Sequence, residues 1–255
     1  LSDSLQHQSP WWQSFDAEVL AAIHGLSFDR LLSWLNDRAQ GTGIVSGRGA
    51  PLSFVPQSQL PSGIAYESWI AKTGEVPTRD NLHDRYNALM WLTFPKTKAK
   101  LNAVQASELD RLGMTGKRGP VRDAATLWDE NLVVVLAQES ANELQAALDL
   151  HDWQTLFLKN RSHWHTRWHL VPFGHALLEK LASPYKAITG HAIVQEMSSR
   201  DRHQLDVVLS DRVHLGMNTA IFRPLPVMGV PGWDAANQAE DFYADPKVFR
   251  LSRAS

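Results

Sequence analysis

The chain has 255 residues and a formal net charge of −2, with 44% hydrophobic and 20% charged residues, the balance of an autonomously folding globular protein with a substantial core. Lys and Arg are scattered, which argues against charge-driven capture of nucleic acid, and the longest apolar run, Leu132 to Ala137, is far below the roughly 20 residues of a membrane-crossing helix. The lack of cysteine excludes disulfides, thiolate nucleophiles and Cys-ligated zinc, and without a charged-then-apolar leader before Trp11 the cytoplasm is the expected location.

Residues 1–10 are polar and aperiodic and read as a flexible lead-in, with residues 11–255 expected to form a single globular domain. Asp16 can cap a helix through His24. Ser27 can cap a second through Gln40, with Leu31, Leu32 and Leu35 on one face. The Gly-, Pro- and Ser-rich stretch from Gly41 to Gly63 reads as an irregular connection with a short extended piece at Leu52 to Val55. Tyr66 to Lys72 suits a brief helix ended by Gly74. The segment after Pro77, with Asp80 as its N-cap, suits a longer one that Pro95 ends near Phe94, before another from Thr97 to Leu112.

Gly113, Gly116 and Gly119 punctuate a basic loop. "TLW", "DEN" and "LVVVLA" then read as a hairpin whose second strand is buried. Ser140 and Glu143 match a capping box for a helix through Leu150. "HWHTRWHLV" alternates as a strand would, with Trp164, Trp168 and Leu170 on one face and His163, His165 and His169 on the other. "FGHALLEKL" has helical spacing, "AITGHAIVQ" is strand-like, Arg200 to Arg212 suits a helix, and a strand near Thr219 to Phe222 precedes a Pro-rich tail expected to wrap the domain. The fold class expected is α+β, mainly helical with a small mixed or antiparallel sheet. The ten tryptophans, spread along the chain, are expected chiefly in the core.

The segment "RDNLHDRYNALMW" concentrates the most chemistry. On a helix, Asp80, His83, Asp84, Asn87 and Trp91 fall within a sector of roughly 100°, opposite Leu82, Tyr86, Leu89 and Thr93. That stripe carries no Lys or Glu and runs into Trp91 and Phe94, so it is expected to line a cleft. The plainer alternative is a set of caps and ion pairs. His175 and Glu179, four apart on one helical face, can share a divalent metal. Asp129 and Glu130 read either as turn residues or as acids suited to metal ligation. No phosphate-binding loop, nucleophile elbow or His-Glu-x-x-His helix is present, so no nucleotide cofactor is expected.

"RDNLHDRYNALMWLTFPKTKAKLN", "RDAATLWDEN", "FGHALLEKL" and "PLPVMGVPGWD…FYADPKVFR" together resemble an uncharacterised bacterial family classed only as a domain of unknown function. The resemblance spans nearly the whole chain and implies one family domain, with no catalytic residue to carry over.

From the residues themselves, the leading expectation is a metal-dependent hydrolase. His83, Asp84, His175 and Glu179 would hold one Zn, Mn or Mg ion, and His83, Asp84, Asp129 and Glu130 would supply the catalytic groups. Arg79, Asn87, Arg118 and Arg122 would receive an anionic small molecule or phosphoester. The alternatives are a non-enzymatic small-ligand-binding protein and a purely structural polar network.

Overall fold

The structure is a computed structural model describing residues 9–113 and 119–252. The chain forms two compact units. A helical unit comprises Phe15–Asp129 and Asp201–Thr219, and a sheet unit comprises Leu1–Ser14, Glu130–Arg200 and Ala220–Ser255.

Helix α1 (Ala17–Gly25) begins where Asp16 accepts from the amides of Glu18 and Val19 at 2.9 and 3.2 Å. In α2 (Phe28–Thr42), Leu31, Leu32, Leu35 and Ala39 form the buried face, and Gly43 ends the helix in the left-handed region. Strand β1 (Ser53–Pro56) pairs in parallel with β2 (Glu75–Thr78), and α3 (Tyr66–Thr73) lies between them in sequence. The expected extended piece is therefore present, and its partner β2 is an element the sequence did not signal. At Gly74 φ is 78° and a Cβ would sit 2.0 Å from the Pro51 carbonyl oxygen, so glycine is required there.

The next helix is α4 (Leu82–Thr93), and its cap corrects the sequence expectation. Asn81, in extended conformation, accepts from the Asp84 amide at 2.8 Å, whereas Asp80 pairs with Arg85. Phe94 closes α4 and opens α5 (Pro95–Leu112), with proline in the first turn, where its missing N–H costs nothing.

Helix α6 (Pro120–Asn131) replaces the first half of the expected hairpin. Val121, Ala124, Ala125 and Trp128 are buried at spacings of three and four, so helical periodicity prevailed over the β-like look of "TLW". The expected basic loop falls largely on residues 114–118, outside the described residues.

The chain then enters β3 (Leu132–Ala137), all of whose residues are buried. Helix α7 (Asn142–Leu150) follows without the expected capping box: no side chain caps it, and Glu143 instead accepts from Asn160 Nδ2 at 2.8 Å. Strand β4 (Trp168–Pro172) is shorter than the alternation suggested. Arg161–His163 form a 3-10 turn and His165 has φ of 65°, so the three imidazoles do not line one strand face. Helix α8 (His175–Leu181) and β5 (Thr189–Glu196) match expectation, as does α9 (Arg202–Arg212), which belongs to the helical unit. The last strand is β6 (Arg223–Pro226), and Thr219–Ile221 form a 3-10 turn ahead of it.

The sheet is mixed, in the order β4-β3-β5-β6: β3 runs antiparallel to β4 and parallel to β5, and β6 is antiparallel to β5. The α+β class holds. In the C-terminal segment, buried Asn237 donates to the carbonyls of Met228 and Val230, while Phe157 stacks against Trp153, Trp164 and Tyr243. Trp11, Trp12, Trp91, Trp128, Trp153, Trp164, Trp168 and Trp233 are buried, as expected for core rings. Among the described residues no helix is long and apolar enough to cross a membrane.

Candidate functional site

In the helical unit, α3, α4, α5 and α6 bring a set of polar side chains together. Lys98, Asn102 and Gln105 lie four and three residues apart on α5, a spacing that aligns them on one helical face, and all three are buried. Asn87 and Trp91 are related in the same way on α4, and Asp129 sits near the end of α6.

Lys98 Nζ donates to Asp129 Oδ1 and, at 2.8 Å, to Asn87 Oδ1, and it lies 5.4 Å from the centre of the Trp91 ring. Asn87 Nδ2 donates to the Tyr66 hydroxyl at 3.1 Å. Alongside, Asn102 Nδ2 donates to Glu67 Oε2 at 2.7 Å and to the Glu67 carbonyl at 2.9 Å, while its Oδ1 accepts from the Gly47 amide at 3.0 Å. Both faces of each amide are therefore spent on orienting a neighbour.

An ammonium taken out of water is stable only beside a carboxylate and further acceptors, and Asp129 and Asn87 meet that need for Lys98. Glu67 is placed differently. Solvent still reaches part of it, yet the surrounding protein is dense enough that burial raises its pKa from the ordinary carboxyl value, and the nearby charge of Asp129 adds to the rise. Lys98, the Asn102 hydrogen bond and Arg122 pull in the opposite direction without cancelling it. Burial also holds the Tyr66 hydroxyl well above its usual pKa, reinforced by the charges of Glu67, Asp84 and Asp129. The site therefore pairs a carboxyl biased toward its protonated form with a carboxylate held in an ion pair.

Several expected site residues meet here, namely Asn87, Asp129 and Arg122. Arg122 is half-buried two turns before Asp129 on the same face of α6, and its Nε, closed off from solvent, has no acceptor among the described residues. Asp84 lies at the start of α4, where it accepts from the Arg79 amide, Nε and a terminal nitrogen at 2.7, 3.0 and 2.9 Å. This clamp occupies both Asp84 oxygens and uses Arg79, whose side chain is otherwise exposed. His83 is half-buried on the first turn of α4, and Glu130 is half-buried near the end of α6. Arg118 lies outside the described residues.

Of the four expected metal ligands, His83 and Asp84 belong to the helical unit and His175 and Glu179 to the sheet unit, with His175 buried and Glu179 exposed. Among the described residues, no group of three or more His, Asp or Glu side chains is placed to hold a metal ion.

Tyr66, Glu67, Lys98 and Asn102 are not among the residues expected from the sequence. The signal for Lys98 lay in "KTKAKLN": Lys96 and Lys100 face solvent, but Lys98 shares the buried side with Leu101 and Asn102. No local pattern marked Tyr66 or Glu67.

A family model described as "Protein of unknown function (DUF3025)" matches residues 52–253. The chain belongs to that family. The DUF3025 match takes in every side chain of the polar site, from Tyr66 to Asp129. No curated protein and no solved structure matches the chain.

Proposed function

We propose that this DUF3025 protein is a hydrolase for a small polar molecule, with Glu67 as its proton donor. The observation that carries this reading is the placement of Glu67: partly open to solvent, oriented by Asn102, and raised in pKa beside the Lys98–Asp129 pair. Tyr66, whose hydroxyl accepts from Asn87, and Arg122, whose Nε has no acceptor among the described residues, lie near Glu67 and supply donors suited to an ester or phosphoester oxygen.

In this reading water adds to the electrophilic carbon or phosphorus and the bond to the leaving oxygen breaks. The Glu67 proton moves to that oxygen, and the proton released by water restores the carboxyl. Lys98 and Asp129 position the site and do not themselves exchange protons. The expected ligands of a divalent ion, His83, Asp84, His175 and Glu179, take no part in these steps.

The test is a panel of nitrophenyl carboxylic esters and phosphomonoesters assayed with wild type and Glu67→Gln. Turnover by wild type that falls by about a hundredfold or more in Glu67→Gln, in a variant that remains folded at the assay temperature, supports the reading. No turnover by folded wild type, or a variant as active as wild type, overturns it.

A further inference from the structure

The helical unit also carries a cleft of about 780 Å³, separate from the polar site. Its apolar wall is formed by Ile44, Val45, Leu92, Pro95 and Ala99, and its rim by Arg38, Lys96, Arg202 and His203. That volume suits a small organic molecule.

The charges around the cleft are used unequally. Three aspartates line it, and each is committed to a helix start. Asp16 accepts from two amides of α1, and Asp201 accepts from the Gln204 amide of α9 at 2.7 Å. Asp206, fully buried, accepts from the Lys96 and Thr97 amides of α5 at 2.9 and 2.8 Å and from the Thr97 hydroxyl at 2.7 Å. The positive ends of three helices thus offset the three carboxylates.

The cations are not matched in the same way. Arg38 is paired with Glu18 at 3.0 Å and stands 5.6 Å from the centre of the Trp34 ring, whereas Lys96 and Arg202 have no ion-pair partner among the described residues. What remains available is positive charge beside an apolar wall in which Val45 is 42% exposed. One guanidinium fork and one ammonium suit a single carboxylate head. The neighbouring aspartates disfavour a dianion.

We propose that this cleft binds an amphipathic carboxylate, with its head at Lys96 and Arg202 and its short apolar tail along Ile44, Leu92, Pro95 and Ala99. Neither the polar site nor its chemistry is needed for this binding.

Calorimetric titration of the full chain with octanoate tests it, with acetate and 1-octanol as probes that lack the tail and the charge. The expected result is saturable one-to-one binding of octanoate alone. Affinity should fall at least about tenfold in the double variant Lys96→Glu, Arg202→Glu, both exposed residues whose reversal leaves the core intact. Val45→Asp, which places a like charge in the wall, is expected to weaken binding in a second, independent variant. Absence of saturable binding by folded wild type, equal affinity for 1-octanol, or unchanged affinity in the folded variants overturns the proposal.

Discussion

Lys98 on α5 and Asp129 on α6 form a buried ion pair, with side-chain exposures of 5% and 12%, and Asn87 of α4 accepts a second hydrogen bond from the ammonium. A pair so withdrawn from water contributes little net stability when intact, but losing one partner leaves an unpaired charge in the interior. Lys98→Met is therefore expected to cost about 3–5 kcal/mol in urea unfolding. The double variant Lys98→Met, Asp129→Leu should recover a large part of that loss, and costs that simply add would contradict the pairing.

Glu67 links the site to pH. Its raised pKa means that the folded chain holds this proton more tightly than the unfolded chain does, so its contribution to stability declines as pH rises from the ordinary value of 4.5 through the folded value. Glu67→Gln removes this titration. Unfolding curves collected across that window should show a shallower fall of stability with pH in the variant than in wild type. For the proposed hydrolysis the same proton sets the direction, and turnover should decline as pH rises through the folded pKa.

Asp84 serves the architecture. With its carboxylate clamped by Arg79 and its amide held by Asn81, it fixes the entry to α4. Asp84→Ala is expected to lower stability by about 1–2 kcal/mol, a range reduced because Arg79 is largely exposed. Ester turnover per folded molecule should stay within a few-fold of wild type. Turnover in chelator should likewise persist, whereas activity lost to chelation and restored by zinc or manganese would favour the divalent-metal expectation instead.

Gly174, just ahead of α8, allows a close backbone approach within the sheet unit. A Cβ there would meet the Glu130 carbonyl oxygen at 2.3 Å and the Asn131 amide nitrogen at 2.4 Å, both rigid main-chain atoms. Gly174→Ala is expected to destabilise the protein by about 1–3 kcal/mol, measured by thermal or urea unfolding.

Much of the fold was legible because its signals are local. The caps at Asp16 and Gly74, the Pro95 boundary and the apolar run of β3 each declare themselves within a few residues. The hairpin expectation failed on α6 because "TLWDEN" has β-like residues whose burial follows a helical period set by Val121 and Ala124 further upstream. The capping box failed because Glu143 found Asn160, a partner 17 residues away.

The candidate site was only half legible for the same reason. Asp84, Asn87 and Asp129 stand out as acids and amides among apolar neighbours, but Lys98 looks like one of three surface lysines until the face of α5 is known. Glu67 owes its raised pKa first to burial and then to the charge of Asp129 on α6, while Asn102 of α5 orients it, and nothing adjacent in the chain foretells this.

The most direct measurement is carbon-13 NMR titration of the Glu67 side-chain carboxyl in the intact chain, assigned by loss of its signal in Glu67→Gln. A midpoint above 4.5 is expected, shifting downward when Asp129→Asn removes the neighbouring charge. A midpoint at or below 4.5 in folded wild type would contradict Glu67 as the proton donor of this site.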